Sequence, residues 1–166
     1  WDGEEWTIFD AELSFWSNVT NINDIELWNG ELVASGEIGA VGGEDAGGLA
    51  LWNGERWRPL TPLVEGWVYE MISDRGRLVT GGIFHTSQGS ARTTGVLQWD
   101  GTRWLRMGSG VHCGTSPHSP RVTGIASWNG NLFVYGSYDF SGHRRAGVLV
   151  RWDGATFGAP QGSPTL

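Results

Sequence analysis

The chain has 166 residues, a formal net charge of −7, 27 Gly, 11 Trp and a single Cys. Its length suits one domain with a hydrophobic core, and its acidic balance argues against a nucleic-acid-binding surface, which is normally basic. No apolar run is long enough to span a bilayer, and the lone Cys113 cannot form an intrachain disulfide. All 11 basic residues are Arg, which excludes catalysis through a Lys Schiff base.

A six-residue motif recurs along the chain: Trp, then Asp-Gly or Asn-Gly, then two variable residues and a final aromatic residue. It begins at residues 1, 52, 99 and 152, so successive copies start 51, 47 and 53 residues apart. A shorter form, Trp-Asn-Gly, occurs at 28–30 and 128–130. Asp-Gly and Asn-Gly favour two-residue hairpin turns, because a type I′ turn needs positive φ at both central residues. We therefore predict a series of β-hairpins at nearly constant spacing.

A second motif, a short run ending in Gly, repeats in the same phase at 32–36, 78–82 and 132–136. Two motifs with one period indicate repeated structural units, and no segment shows helical periodicity over three turns. In chain order, we predict a lone hairpin at 1–9, three four-stranded units at 19–60, 67–107 and 121–160, and a tail at 161–166. The predicted strands are 22–27, 31–36, 48–52 and 55–60 in the first unit, 68–73, 77–82, 95–99 and 102–107 in the second, and 122–127, 131–136, 148–152 and 155–158 in the third.

Four antiparallel strands repeated every ~40–50 residues are typical of a β-propeller blade. The run Leu78–Gly82, the strand after it and Trp104 resemble the kelch and galactose-oxidase-like class of propellers. The Trp-Asp-Gly-x-x-Trp motif resembles bacterial repeat proteins whose blades carry it. This resemblance implies an all-β fold: a β-propeller segment of about three four-stranded antiparallel blades plus an N-terminal half-blade hairpin. The sialidase Asp-box and the WD40 repeat fit less well, because Asp100 and Gly101 are adjacent and form a turn directly after Trp99.

Three blades and a hairpin do not close a ring, since propellers normally have 4–8 blades. We therefore expect an incomplete propeller domain, either part of a longer protein or a subunit that other chains complete, and we favour the longer protein. A terminal blade left open exposes an apolar face. A structural subunit is expected to bury such a face, at Val68, Met71, Leu97 or their counterparts, against another chain.

The connections between strands divide into two rims. In a four-stranded meander, the first and third connections lie at one rim, and here all of them are predicted to be two-residue turns. The opposite rim carries the long loops, predicted at 10–21, 37–47, 58–67, 83–94, 108–121 and 137–147. Function usually lies on such loops above a rigid scaffold, and aromatic and Arg side chains dominate binding hot spots. The predicted binding residues are Trp16, Trp67, Phe84, Tyr138, Phe140 and Arg144.

The same loops contain all four His residues and Cys113. His112, Cys113 and His118, together with His85, are weak candidates for zinc or copper ligands, because their spacing matches no standard motif. The pair Glu44–Asp45 lies in a Gly-rich loop with nothing apolar to raise a carboxyl pKa for glycoside hydrolysis. No nucleophile elbow is present. We therefore predict no catalytic residue and no cofactor.

The repeated Trp residues have a structural interpretation. Trp52, Trp99 and Trp152 precede their turns at equivalent positions, which favours packing between blades and cross-strand contact with the aromatic residue after the turn. The polar residues of the turns are interpreted as turn formers rather than as catalytic acids. They are Asn53, Asp100, Asn129 and Asp153.

These observations favour a non-catalytic propeller scaffold that binds protein or glycan through its long-loop rim, or an accessory subunit of a larger assembly. The alternative is a fragment of a metal-dependent propeller enzyme that uses the rim His residues. Convergent polar groups with perturbed pKa values around a pocket would favour the enzyme, and a broad aromatic and polar patch would favour the binder. Because the repeats resemble those of secreted bacterial proteins, we expect an extracellular or cell-envelope (periplasmic) location.

Overall fold

A computed structural model of the chain describes residues 3–6, 13–15, 21–62, 64–86, 95–108, 110–111, 121–138 and 148–160. Every regular element within these residues is a β-strand. In chain order the strands are β1 (Leu13–Phe15), β2 (Ile22–Trp28), β3 (Glu31–Gly36), β4 (Ile38–Val41), β5 (Glu44–Asp45), β6 (Leu49–Trp52), β7 (Trp57–Pro59), β8 (Val64–Asp74), β9 (Arg77–Thr86), β10 (Val96–Trp99), β11 (Trp104–Arg106), β12 (Arg121–Trp128), β13 (Asn131–Ser137), β14 (Val148–Trp152) and β15 (Phe157–Gly158).

The strands form four antiparallel sheets, none of them closed. Three have four strands: the first sheet in the order β2-β3-β6-β7, the second β8-β9-β10-β11 and the third β12-β13-β14-β15. The predicted all-β fold with three four-stranded antiparallel units is therefore confirmed. Of the predicted hairpin at 1–9 only residues 3–6 are described, and the predicted tail at 161–166 lies outside the described residues.

A small sheet, β1-β4-β5, is formed by two segments that are predicted to be loops, 10–21 and 37–47. The prediction of a loop at 37–47 is wrong because Gly42 and Gly43, with φ of 57° and 86°, reverse the chain and let β4 pair with β5. The apolar residues of this hairpin pack against one side of the first sheet and form a small core. Its members are Ile38, Val41 and Ala46 with Ala34 and Ala50, and Leu13 and Trp57 pack against them.

The first connection of each large sheet is a two-residue type I′ turn, as its Asn-Gly or related dipeptide predicts. Both central residues have positive φ: 51° and 83° at Asn29 and Gly30, and 49° and 70° at Asn129 and Gly130. Arg75 and Gly76 adopt the same geometry, with φ of 50° and 76°. These turns place the first two strands of each sheet in tight register.

The third connection of each large sheet is a four-residue loop, so the prediction of two-residue turns is wrong here. Trp52 pairs directly with Trp57, which leaves residues 53–56 between them. Within this loop only Gly54 has positive φ, and the Asn53 side-chain oxygen accepts hydrogen bonds from the amides of Glu55 and Arg56 at 2.9 and 3.0 Å. Hydrogen bonds to the Asn53 side chain therefore close this loop, whereas two consecutive residues with positive φ close the first connection.

A repeated close approach explains the Gly that ends the second sequence motif. The first strand of each large sheet carries a bulge at an equivalent place, directly after the residue that pairs with this Gly. A Cβ atom at Gly36, Gly82 or Gly136 would lie only 1.9, 2.0 or 2.0 Å from the carbonyl oxygen of the residue before that paired residue, which is Asn21, Trp67 or Arg121. Only Gly fits at this position.

The bulges also define which residues of the three sheets are equivalent. Asp24, Glu70 and Gly124 follow them, and numbering from these residues aligns the remainder of each sheet. Trp28, Asp74 and Trp128 are equivalent on this basis. So are Gly30, Gly76 and Gly130, and the later residues Leu49, Val96 and Leu149.

The large sheets stack face to face in chain order. One core between the first and second sheets contains Trp28 and Leu51 from the first sheet and Met71, Leu78 and Trp99 from the second. A second core lies between the second and third sheets. Its central members are Val79 and Val96 from the second sheet and Ile125, Leu132, Val134 and Val150 from the third. The expected packing between sheets is confirmed for Trp99 and Trp152, which belong to or pack against these two cores. The expected cross-strand contact is confirmed for all three repeated Trp residues: Trp52, Trp99 and Trp152 contact the aromatic residue after their loops at centroid distances of 5.6, 5.2 and 4.8 Å.

Candidate functional site

Each large sheet has two chemically different faces, which follow from its register. We call the face that packs on the following sheet the back face, and the face that packs on the preceding sheet the front face. In the first sheet the back face carries Trp28, Val33 and Leu51. In the second sheet the front face carries Met71 and Leu78. Every contact between neighbouring large sheets therefore joins one back face to one front face.

Carboxylates on the back face of the first sheet accept hydrogen bonds from backbone amides at the edge of the second sheet. The Asp24 carboxylate accepts a hydrogen bond from the Met71 amide at 2.6 Å, and the Glu26 carboxylate accepts one from the Ser73 amide at 2.7 Å. Both amides belong to β8, which pairs with another strand on only one side. The acidic side chains thus occupy the hydrogen-bonding positions that would otherwise attract a foreign strand.

The second junction uses different polar groups at equivalent places. The Ser127 hydroxyl lies 3.3 Å from the Asp74 carboxylate, and the Arg75 guanidinium donates to the Gly130 carbonyl. Glu70 is equivalent to Asp24, but its carboxylate accepts no hydrogen bond from an amide of the described residues. Burial raises the pKa of Glu70, and the charges of Asp24 and Glu26 raise it by smaller amounts.

The two terminal faces of the stack expose apolar residues that are buried elsewhere in the chain. On the back face of the third sheet, Trp128 is 66% exposed whereas the equivalent Trp28 is 5% exposed. Leu149 is 43% exposed whereas Leu49 is fully buried, and Tyr135 on the same face is 44% exposed. A contiguous set of exposed aromatic and aliphatic side chains is typical of an interaction site.

The front face of the first sheet is exposed along β2. Ile25 is 55% exposed and Leu27 is 64% exposed, although Met71, which is equivalent to Ile25, is 3% exposed. The outer part of the same face is covered by the small sheet, which buries Ala34 and Ala50. The open part of this face therefore lies on β2 and at the rim that carries the short connections.

Only one described member of the predicted binding set is exposed. Trp67, near the long-loop end of β8, is 44% exposed. Phe84 and Tyr138 are buried, so the expectation that these rings are exposed on the rim is wrong. Phe84 belongs to the core between the first two sheets, and the Tyr138 hydroxyl donates to the Val134 carbonyl at 2.7 Å, inside the second core. Trp16, Phe140 and Arg144 lie outside the described residues.

The metal candidates fall mostly on positions that the structure does not describe. His112, Cys113 and His118 lie outside the described residues. His85 lies in β9, where its backbone is opposite Glu65. Within the described part of the chain, no three His, Cys, Asp or Glu side chains are grouped as metal ligands.

Sequence reasoning missed the residues that form the sheet junctions. Asp24 and Glu26 read as ordinary polar positions of an alternating strand, and nothing in their spacing indicates the backbone amides that they contact across the junction. Trp128 carried a usable signal, because it shares the Trp-Asn-Gly motif with Trp28. The motif predicted the turn, but not that only one of the two rings is covered.

Comparisons with known proteins do not assign the chain to a family: no protein-family model matches it, and no curated protein matches it. Among the described residues there is no helix with the length and hydrophobicity needed to cross a bilayer. The geometry of the faces is therefore the basis for a functional assignment.

Proposed function

We propose that the chain is a non-catalytic β-propeller segment, a scaffold of three blades that associates with protein, its own copies included, through the open faces of its terminal blades. The observation that carries this proposal is the exposure of Trp128, Tyr135 and Leu149 on one blade face, at positions equivalent to buried junction residues. Clustered aromatic and aliphatic side chains favour a protein partner, because burying them on association releases apolar surface from water.

A second candidate function is binding of protein or glycan at the long-loop rim, where exposed Trp67 favours it. The blade-face assignment is preferred because its residues are matched, position by position, to a contact that the chain already makes between its own blades. Trp67 therefore serves as the control position for the experiment on the blade faces.

The test is the mass of the purified chain in solution, measured by light scattering over a range of concentrations. We expect wild type to exceed the single-chain mass of 18.1 kDa as concentration rises, and the double variant Tyr135→Arg/Leu149→Arg to remain at 18.1 kDa with an unchanged far-UV spectrum. Trp67→Ala should behave as wild type. A wild-type chain that stays at 18.1 kDa throughout would overturn the proposal, and loss of association in Trp67→Ala alone would assign the contact to the rim.

A further inference from the structure

The junction between the first two blades shows how a Trp of one blade fits the next. The Trp28 indole nitrogen donates to the Gly76 carbonyl at 3.2 Å, at the first connection of the second blade. The other end of the ring lies 3.7 Å from the position of a Cβ on Gly101, in the third connection of that blade. Trp28 is therefore held between the first and third connections of the second blade, and we call this space the slot.

Trp128 presents the same ring, and no sheet of the described residues receives it. Its first connection has the same type I′ geometry as that of Trp28, with φ of 49° at Asn129 against 51° at Asn29. The ring contacts Phe133 at a centroid distance of 6.4 Å, yet the residue is 66% exposed. The side chain is thus held on the back face in the place from which Trp28 enters its slot.

The first blade carries the matching slot, and no described residue fills it. Gly30 and Gly54 are equivalent to Gly76 and Gly101; a Cβ on Gly54 would meet no atom within 4 Å, whereas one on Gly101 would lie 3.7 Å from the Trp28 ring. The adjacent Leu27 is 64% exposed. Among the described residues, no Trp of a preceding blade contacts the two connections of this front face.

The second junction shows that the slot persists as open space when Trp is missing. There Asp74 replaces Trp, the Arg75 guanidinium reaches the Gly130 carbonyl, and a groove of about 290 Å³ remains beside them. It is lined by Asp74, Arg75, Arg77, Gln98, Trp152 and Gly154. The slot is therefore a property of the repeat and does not depend on the ring that fills it.

We infer that a second copy of this chain docks head to tail on the first, with Trp128 of one copy seated between Gly30 and Gly54 of the other. This inference rests on the proposed function and identifies its partner. The same chain carries both halves of the contact, in the register of its internal junction. Contacts of this unlike-face type close into rings when their rotation allows.

The polar groups of the two open faces are compatible with this contact. Gly124 and Ala126 replace the carboxylates of Asp24 and Glu26, so the back face of the third blade brings no acidic side chain to these positions. The Ile25 amide is equivalent to the Met71 amide, which donates a hydrogen bond to Asp24 across the internal junction. The Ile25 amide already donates a hydrogen bond of 2.8 Å to the carboxylate of the neighbouring Asp24. The edge amide therefore has an acceptor before the second copy arrives.

The test separates the two faces with one variant each. Trp128→Ala removes the back-face ring, and Leu27→Asp places a charge beside the slot on the front face. Both residues are exposed, so both variants should keep the wild-type far-UV spectrum. We expect each variant alone to raise the dissociation constant of the dimer at least thirtyfold, since loss of a Trp hot spot typically raises it roughly 10- to 100-fold or more. A mixture of the two, one labelled with ¹⁵N, should form a 1:1 heterodimer by native mass spectrometry, because each retains the face that the other lacks.

Other outcomes overturn the inference in distinguishable ways. If Leu27→Asp alone still dimerises while Trp128→Ala does not, the contact joins two back faces, and the proposed function stands without the head-to-tail arrangement. If the mixture yields no heterodimer, the head-to-tail contact is wrong. If wild type itself remains monomeric, the proposed function fails together with the inference.

Discussion

At the scale of single residues, the acidic or amide side chain before Gly in each third connection acts as a backbone acceptor. The Asp100 carboxylate accepts from the Thr102 amide and hydroxyl, both at 2.8 Å, and from the Arg103 amide at 2.9 Å. These hydrogen bonds, those from the backbone first, lower the pKa of Asp100 to about 2. Asn53 does the same work with a neutral oxygen, so the position requires an acceptor and not a charge.

Replacing Asp100 tests this role. We expect Asp100→Ala to lower the melting temperature at pH 7, because three hydrogen bonds lose their acceptor. The folded pKa of about 2 lies below the ordinary value of 3.8, so the contribution of the ionised Asp100 is complete above the ordinary value and is lost as pH falls towards 2. Thermal unfolding between pH 7 and pH 2 should therefore show the difference between wild type and Asp100→Ala shrinking in acid. Asp100→Asn, which keeps the acceptor, is the control, and an alanine variant as stable as wild type at pH 7 would refute the role.

At the scale of the elements, the sheets depend on glycine where a bulged first strand crosses the end of the second. A Cβ on Gly82 would lie 2.0 Å from the Trp67 carbonyl oxygen and 2.9 Å from the Phe84 ring. Neither group moves easily, because β8 and β9 are paired on both sides of this point. The hairpin geometry, and with it the position of Trp67 at the rim, therefore depends on this Gly.

The variant Gly82→Ala measures that constraint. We expect it to reduce the free energy of unfolding by about 1–3 kcal/mol, since an added methyl group in a closely packed site forces the backbone apart. Gly158→Ala is the matched control in β15, where an added Cβ meets no atom within 4 Å, and its effect should stay within about 0.5 kcal/mol. Urea unfolding followed by Trp fluorescence gives both values. Equal effects at the two positions would show that the close approach is not limiting.

At the scale of the whole molecule, the stack is maintained by apolar cores and by carboxylates placed where the sheets meet. The carboxylates of Asp24 and Glu26 accept hydrogen bonds from backbone amides, whereas that of Glu70 accepts none among the described residues. The pKa of Glu70 is raised mainly by burial and secondly by the charges of Asp24 and Glu26. A carboxyl whose folded pKa is above its ordinary value of 4.5 is ionised at pH 7 at the expense of folded-state stability, and protonation at lower pH removes that penalty.

Glu70→Gln should therefore raise the melting temperature at pH 7, and its advantage over wild type should shrink as pH falls towards 4.5. Thermal unfolding from pH 7 to pH 4 provides the measurement. Glu55→Gln, a change at an exposed position of the 53–56 loop, is the control and should leave the melting temperature unchanged at each pH. An advantage of Glu70→Gln that is absent at pH 7, or that stays constant down to pH 4, would contradict the assigned cause.

The strands of the three large sheets, their order and the first connection of each sheet could be predicted from the sequence. These features are local: Asn29-Gly30 and Asn129-Gly130 favour two-residue turns, and a Gly repeats wherever the same bulge must be accommodated. The third connections could not be predicted in this way, because Asn53-Gly54 forms a four-residue loop. The candidate interaction site was only partly accessible, because the Trp-Asn-Gly motif marks Trp28 and Trp128 alike.

Only the tertiary structure decided which side chains are covered. Phe84 and Tyr138 were expected on the rim but are buried by the stacking of sheets, and residues 37–47 formed a hairpin because the first sheet offered Ala34 and Ala50 to pack against. Burial depends on contacts between residues distant in the chain, and no local pattern contains them. The same reason separates Trp28 from Trp128: equal motifs lie on equal strands, and the presence of a following sheet buries one ring and leaves the other exposed.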